Sequence, residues 1–250
     1  MTNLIAYETV KGGRVLRPCP KVVFFDLWKT LTTSHCTEPI HALQQILGHQ
    51  PVDESGQQTD RLDDGFLRAC LTLNERRPHH FVTAIAQQFN RLVGETHVRD
   101  FEEVINAESG CTALFLDVTD TLLALQAAGR YELGVISNLW AFPADYIFDE
   151  KGLGQYFKPE NRIFSFEIGH RKPEPEIFLE AARRLGVDLS ECLMIGDNVE
   201  ADVQGALDVG MQAAVIDRLG TLRQETLERA PEALYLRSLK ELIPVLAPGV

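Results

Sequence analysis

At 250 residues and 28.0 kDa, with 45% hydrophobic and 24% charged residues, the chain has an ordinary globular composition and room for a full core. A net charge of -12, from 24 basic and 36 acidic residues with no Lys/Arg-rich run, argues against nucleic-acid or anionic-membrane partners. Five scattered cysteines without a C-x-x-C pair suggest neither a disulfide framework nor a zinc site. No apolar run reaches membrane-spanning length and the first residues lack a sustained apolar stretch, so the cytoplasm is the expected location.

Residues 1–20 contain Gly12-Gly13, Pro18 and Pro20 and read as an arm or short hairpin. From Lys21 the period changes, and Val22-Val23-Phe24-Phe25 is a short apolar run suited to a strand covered on both faces. Residues 35–112 are helical in pattern (IHALQQILG, DGFLRACLTLNE, HFVTAIAQQFNRLVG, VRDFEEVINAE), with a polar loop at 48–60. Four such helices predict a small bundle, hence a second domain. Thr119 to Ala128 has helical spacing and stops at Gly129, and EIFLEAARRL follows two prolines and stops at Gly186. A further helix is expected over 199–209, ahead of Gly210. Apolar runs return at 133–136, 192–195 and 213–216, and the tail offers a short strand in ALYLRS and the helix SLKELIPVL. This alternation predicts an α/β protein: a three-layer Rossmann-like core with a parallel sheet. The expected division is an arm at 1–20, a core at 21–34 and 113–250, and a helical cap at 35–112 between the first and second core strands.

Polar residues follow four of these segments, where an open α/β sheet places its ligands. They are Asp26 with Thr30, Ser137 with Asn138, Lys172 in GHRKPEPEIF, and Asp197 with Asp202 in MIGDNVEAD. Each has a plainer use alone: a strand-ending aspartate caps helices, Ser-Asn makes turns, and a lone lysine decorates a surface. In this order the motifs DLWKT, VISN, RKPEPEIF and GDNVEAD resemble those of the haloacid dehalogenase superfamily, over roughly residues 21–220. The resemblance implies that Asp26 is a nucleophile forming a covalent aspartyl intermediate, that Lys172 neutralises it and that Thr30 orients it. It implies that Ser137 and the Asn138 backbone hold phosphate oxygens, and that Mg²⁺ is bound by Asp26, the backbone carbonyl of Trp28 and Asp197, with Asp202 in support. Three carboxylates and a phosphate need such a cation, since two unit charges ~4 Å apart repel by about 4 kcal/mol at an effective dielectric near 20.

Position 28 departs from the family pattern, which has a second aspartate there as general acid and base. An indole offers only a weakly acidic N–H, and losing a positioned acid/base slows a reaction by about 10²–10⁴-fold. The expected function is a slow or specialised Mg²⁺-dependent phosphohydrolase for a small phosphorylated metabolite, with Trp28 at the substrate. A leaving group of low basicity, or His41, His79 or His80, would make up for the absent acid. Two alternatives stand beside it: a metal-independent 2-haloacid dehalogenase-like hydrolase, and an impaired protein that only binds phosphoryl ligands. Arg61, Arg68, Arg76 and Arg77 are candidates for a substrate anion, and Trp140 and Phe142 for either the entrance or the core. A monomer or homodimer is expected.

Overall fold

The computed structural model describes residues 19–33, 38–53, 55–222 and 230–248. All but the last two residues of the expected arm at 1–20 lie outside them.

Successive residues of β1 (Val22–Phe25) divide between two apolar layers. Val23 and Phe25 join Leu122 and Leu125 of α5 (Val118–Ala128), while Val22 and Phe24 join Ile177 and Phe178 of the helix Pro175–Leu185. In β4 (Cys192–Gly196), Leu193 and Ile195 face the first layer and Cys192 and Met194 the second. A strand covered on both faces needs apolar side chains at every position, which explains the unbroken runs in the sequence.

With β2 (Glu132–Ser137), β3 (Arg162–Phe164), β5 (Gln212–Ile216) and β6 (Leu234–Leu236), these strands form one sheet ordered β3-β2-β1-β4-β5-β6. Every pairing is parallel. The chain builds outward from β1 in one direction and then returns to build in the other. The order therefore reverses beside β1, where the carboxyl ends of the strands open a crevice. The α/β fold and the parallel sheet are as the sequence predicts.

Three local features differ from expectation. β3 is only Arg-Ile-Phe and carries too little periodicity to be read. The helix expected over 199–209 begins as a π-helical turn, Val199–Gln204, because Asp202 and Val203 both donate to the carbonyl of Asn198. The final helix is a 3-10 turn, Leu239–Leu242, followed by Ile243–Leu246, since Pro244 has no N–H to continue the ladder.

Between β1 and β2 run α1 (Pro39–Ile46), α2 (Asp64–Thr72), α3 (Pro78–Gln88) and α4 (Glu95–Cys111), which enclose an apolar cluster of their own. Cys111 is disulfide-bonded, while Cys19, Cys70 and Cys192 are free. No helix among the described residues is long and apolar enough to cross a membrane.

Trp140, three residues beyond β2, leaves the sheet and packs into the helical cluster at 2% exposure. Its ring lies 5.1 Å from Phe142, 5.5 Å from Phe101 and 6.1 Å from Phe81. So Trp140 and Phe142 serve the core. Further ties join insert and sheet: Ser165 Oγ donates to the Leu71 carbonyl at 2.7 Å, Arg171 pairs with Asp64 at 2.7 Å, Arg76 with Asp145 at 2.9 Å, and Arg68 with Glu174. Trp140→Ala is expected to lower unfolding free energy by about 3–5 kcal/mol, as truncation of a buried aromatic does. Leu92→Ala, at a side chain 92% exposed, should stay within about 0.5 kcal/mol. Urea melts of both variants check this, and a small loss at Trp140 would refute the packing role.

Candidate active site

The first turn after β1 is set by a backbone hub. The Leu27 carbonyl accepts from the N–H groups of Thr30 at 3.3 Å, Leu31 at 2.8 Å and Thr32 at 2.8 Å, and from Thr32 Oγ1 at 3.1 Å. The turn puts Lys29 in the left-handed region at φ 57, which costs a non-glycine residue about 1–2 kcal/mol. It leaves Asp26 at the sheet edge, its N–H bonded to the Ile195 carbonyl of the neighbouring strand at 2.9 Å.

Residues far apart in sequence converge on Asp26. Ser137 Oγ donates to Asp26 Oδ1 at 3.0 Å, and Lys172 Nζ donates to the same oxygen at 2.6 Å. The ammonium also meets Asp202 Oδ1 at 2.6 Å and the Ile136 carbonyl at 2.8 Å, so each of its three protons has an acceptor. Asp26 Oδ2 takes no hydrogen bond among the described residues. Lys172 is 3% exposed, Asp202 2% and Asp26 7%. Burial alone would lower the ammonium's pKa, but Asp202 and Asp26 outweigh it and hold the pKa above its usual value.

Asn138 has a use the sequence did not suggest. Its side chain brackets the Lys172 backbone, accepting from the N–H at 2.6 Å and donating to the carbonyl at 2.9 Å. Thr30 is fully buried, but its hydroxyl has no hydrogen-bond partner. Trp28 is half-buried and packs against the apolar layer that holds Phe25 and Leu27.

Asp26, Asp197 and Asp202 each place a carboxylate oxygen within 4.8 Å of the others. Set against Lys172, three carboxylates leave a net charge of -2. Burial first, and then Asp26 and Asp202, raise Asp197 to about 7. An all-oxygen donor set with excess negative charge fits a hard divalent cation. Gly196 is required beside it, because a Cβ there would lie 2.1 Å from Asp202 Oδ2.

The polar residues of the insert have other partners. His41 faces Glu38 and Asp60, each at 3.6 Å, and His80 faces Glu75 at 3.6 Å. Arg68 and Arg76 tie the insert to the core, and Arg77 pairs with Glu75 at 2.7 Å. The aromatic ring of His79 contacts that of His80. No contact among the described residues brings these side chains to Asp26.

The family description of a haloacid dehalogenase-like hydrolase matches residues 20–210. The chain belongs to that hydrolase family. A glyceraldehyde 3-phosphate phosphatase of Methanopyrus kandleri is 37% identical over 102 residues, 41% of this chain and 42% of the relative. The match therefore spans less than half of that relative's length. Among solved structures, a haloacid dehalogenase-type phosphatase from Thermococcus onnurineus aligns at TM-score 0.58 with 26% identity, covering 91% of this chain and 98% of the other. A 2-haloacid dehalogenase from Pseudomonas syringae pv. tomato aligns at TM-score 0.58 with 26% identity, covering 92% and 100%. Proteins named as a phosphatase and as a 2-haloacid dehalogenase are thus alike similar to this chain.

Two predictions follow from the carboxylates. Gly196→Ala should displace Asp202 and lower both stability and any activity, whereas Gly110→Ala, in α4 with open space around it, should lower neither. A carboxyl raised to about 7 is protonated in the folded chain where the unfolded chain has already ionised. Its contribution therefore favours folding less as pH rises from about 4 to about 7, by about 1.4 kcal/mol per unit. In chelator, Asp197→Asn should melt above wild type at about pH 8 and near it at about pH 4. A variant less stable than wild type at the higher pH would contradict this.

Proposed function

We propose that this chain is a Mg²⁺-dependent phosphohydrolase for small phosphorylated metabolites, with Asp26 as nucleophile. The observation that carries the reading is the Asp26 carboxylate held on one oxygen by Lys172 and Ser137, with Asp197 and Asp202 beside it. The name of the Methanopyrus relative supports the substrate class.

In this reading Asp26 Oδ2 attacks phosphorus, the P–O bond to the substrate alcohol breaks, and the leaving alkoxide takes its proton from solvent water. Water then attacks the aspartyl-phosphate, releasing orthophosphate and regenerating the carboxylate. Lys172 offsets the charge on Asp26 throughout. When substrate binds, the single Ser137 hydroxyl proton turns from Asp26 Oδ1 to a phosphoryl oxygen, to which the Asn138 backbone also donates, while the Asn138 side chain keeps Lys172 in place. The Trp28 carbonyl, Asp26 and Asp197 would hold Mg²⁺, supported by Asp202. The metal would neutralise the excess charge and the transferring group. The four helices between β1 and β2 act as a cap that limits the site to small substrates, and Trp28 borders the substrate.

Trp28 leaves no second carboxylate in motif one to act as acid and base. A loss of about 10²–10⁴-fold from missing acid–base catalysis corresponds to roughly 3–5.5 kcal/mol of barrier. The deficit falls hardest on alkyl phosphates and least on acyl or aryl phosphates, whose leaving groups need little proton assistance.

A screen of phosphomonoesters, acyl phosphates and 2-haloacids with and without Mg²⁺ tests the proposal on wild type, Asp26→Asn and Trp28→Asp. Expected are Mg²⁺-dependent phosphate release strongest on acyl or aryl phosphates, none from Asp26→Asn, and a gain on alkyl phosphates from Trp28→Asp. Halide release independent of Mg²⁺ would replace the proposal with a dehalogenase. A silent wild type that gains turnover as Trp28→Asp would point to phosphoryl-ligand binding.

A further inference from the structure

Arg218 follows β5 and belongs to none of the four motifs. Its side chain is 11% exposed, and its guanidinium holds two stretches of chain distant in sequence, at Thr30 and at 115–117. Nη2 and Nε donate to the Thr30 carbonyl at 2.5 and 3.1 Å, and Nη1 donates to Asp117 Oδ2 at 3.0 Å. The guanidinium lies over the Phe115 ring, 4.0 Å from its centroid. Asp117 is fixed in turn by Ser238 Oγ at 2.6 Å and the Leu239 N–H at 2.8 Å. The Phe115 N–H closes the circuit by donating to the Leu31 carbonyl at 3.1 Å.

The stretch being gripped is the turn that carries Asp26. It includes the left-handed Lys29, and the Thr30 hydroxyl is buried without a partner, so the outside hold on Thr30 falls on its carbonyl. A guanidinium presents a rigid fork that can hold a carbonyl and a carboxylate together, and a charged donor strengthens both bonds.

We propose that Arg218 is a positioning residue for the nucleophile turn, bracing it against the segment that returns from the helical insert. The proposal rests on Asp26 as the nucleophile of a phosphohydrolase. Arg218 touches no reacting atom, so its effect appears in turnover more than in binding.

The test uses an aryl phosphate with Mg²⁺. Arg218→Ala is expected to lower kcat about 10–100-fold, the scale of a small misplacement of reacting groups, with KM changed less than about threefold. Millimolar guanidinium chloride should restore part of kcat, while equal sodium chloride or urea should not. An unchanged kcat, or a loss that guanidinium leaves untouched, overturns the proposal. If the alanine variant does not fold, Arg218→Lys is used: it keeps the charge but not the fork, and is expected to lose kcat about tenfold. Full activity there would overturn the proposal.

A wild type without turnover would overturn the functional reading alone. Arg218 is then judged by acrylamide quenching of Trp28 in a Trp140→Phe background. Quenching should rise in Arg218→Ala and fall again with guanidinium, and unchanged quenching would overturn the bracing role.

Discussion

A single buried ammonium organises the crevice. Lys172 Nζ lies between Asp26 and Asp202, and its third proton goes to the Ile136 carbonyl of β2. Burying a charge is costly unless it is fully paired, and removing one partner from a buried ion pair costs about 3–5 kcal/mol. Here one cation answers two buried anions, so the ends of β1, β2 and β4 and the loop after β3 must be correctly placed together. Asn138 contributes by fixing the backbone from which the lysine reaches, and Gly196 by leaving space for Asp202.

The same arrangement leaves a deficit of positive charge. Burial, and then Asp26 and Asp202, outweigh the opposing pull of Lys29 and Lys172 on Asp197, and its raised pKa expresses that balance. In the proposed reading, a divalent cation would relieve the charge that protons otherwise relieve. Affinity for metal and affinity for protons then compete at the same oxygens. Electrostatics thus makes the site receptive to a cation before any substrate is considered.

Much of this was legible in the sequence because each signal was local. Apolar runs marked the strands, glycines marked the ends of α5 and of Pro175–Leu185, and polar residues after the runs fell at the carboxyl ends of the sheet. What escaped were contacts whose local sequence carries no mark. Trp140 follows a strand like any loop aromatic, and only the fold shows it anchored in the helical cluster. Arg68 and Arg76 resemble solvated helix arginines until the core supplies Glu174 and Asp145. β3 is too short to show a period, and Arg218 gains meaning only from Thr30, 188 positions away.

VVFFDLWKTLTTS also shows why its odd residue is tolerated. The turn after Asp26 is shaped by the Leu27 carbonyl, which gathers three backbone N–H groups and a threonine hydroxyl, and by the Arg218 fork on Thr30. None of these bonds uses the side chain at position 28. A carboxylate there could be exchanged for an indole without loss of the scaffold, and the indole gains contact with the apolar layer beside it. The backbone carbonyl at 28 survives the exchange. In the proposed reaction, then, proton transfer and the nucleophile's geometry are physically separable functions of one turn. Trp28 alters the first while Asp26, Lys172 and Ser137 preserve the second.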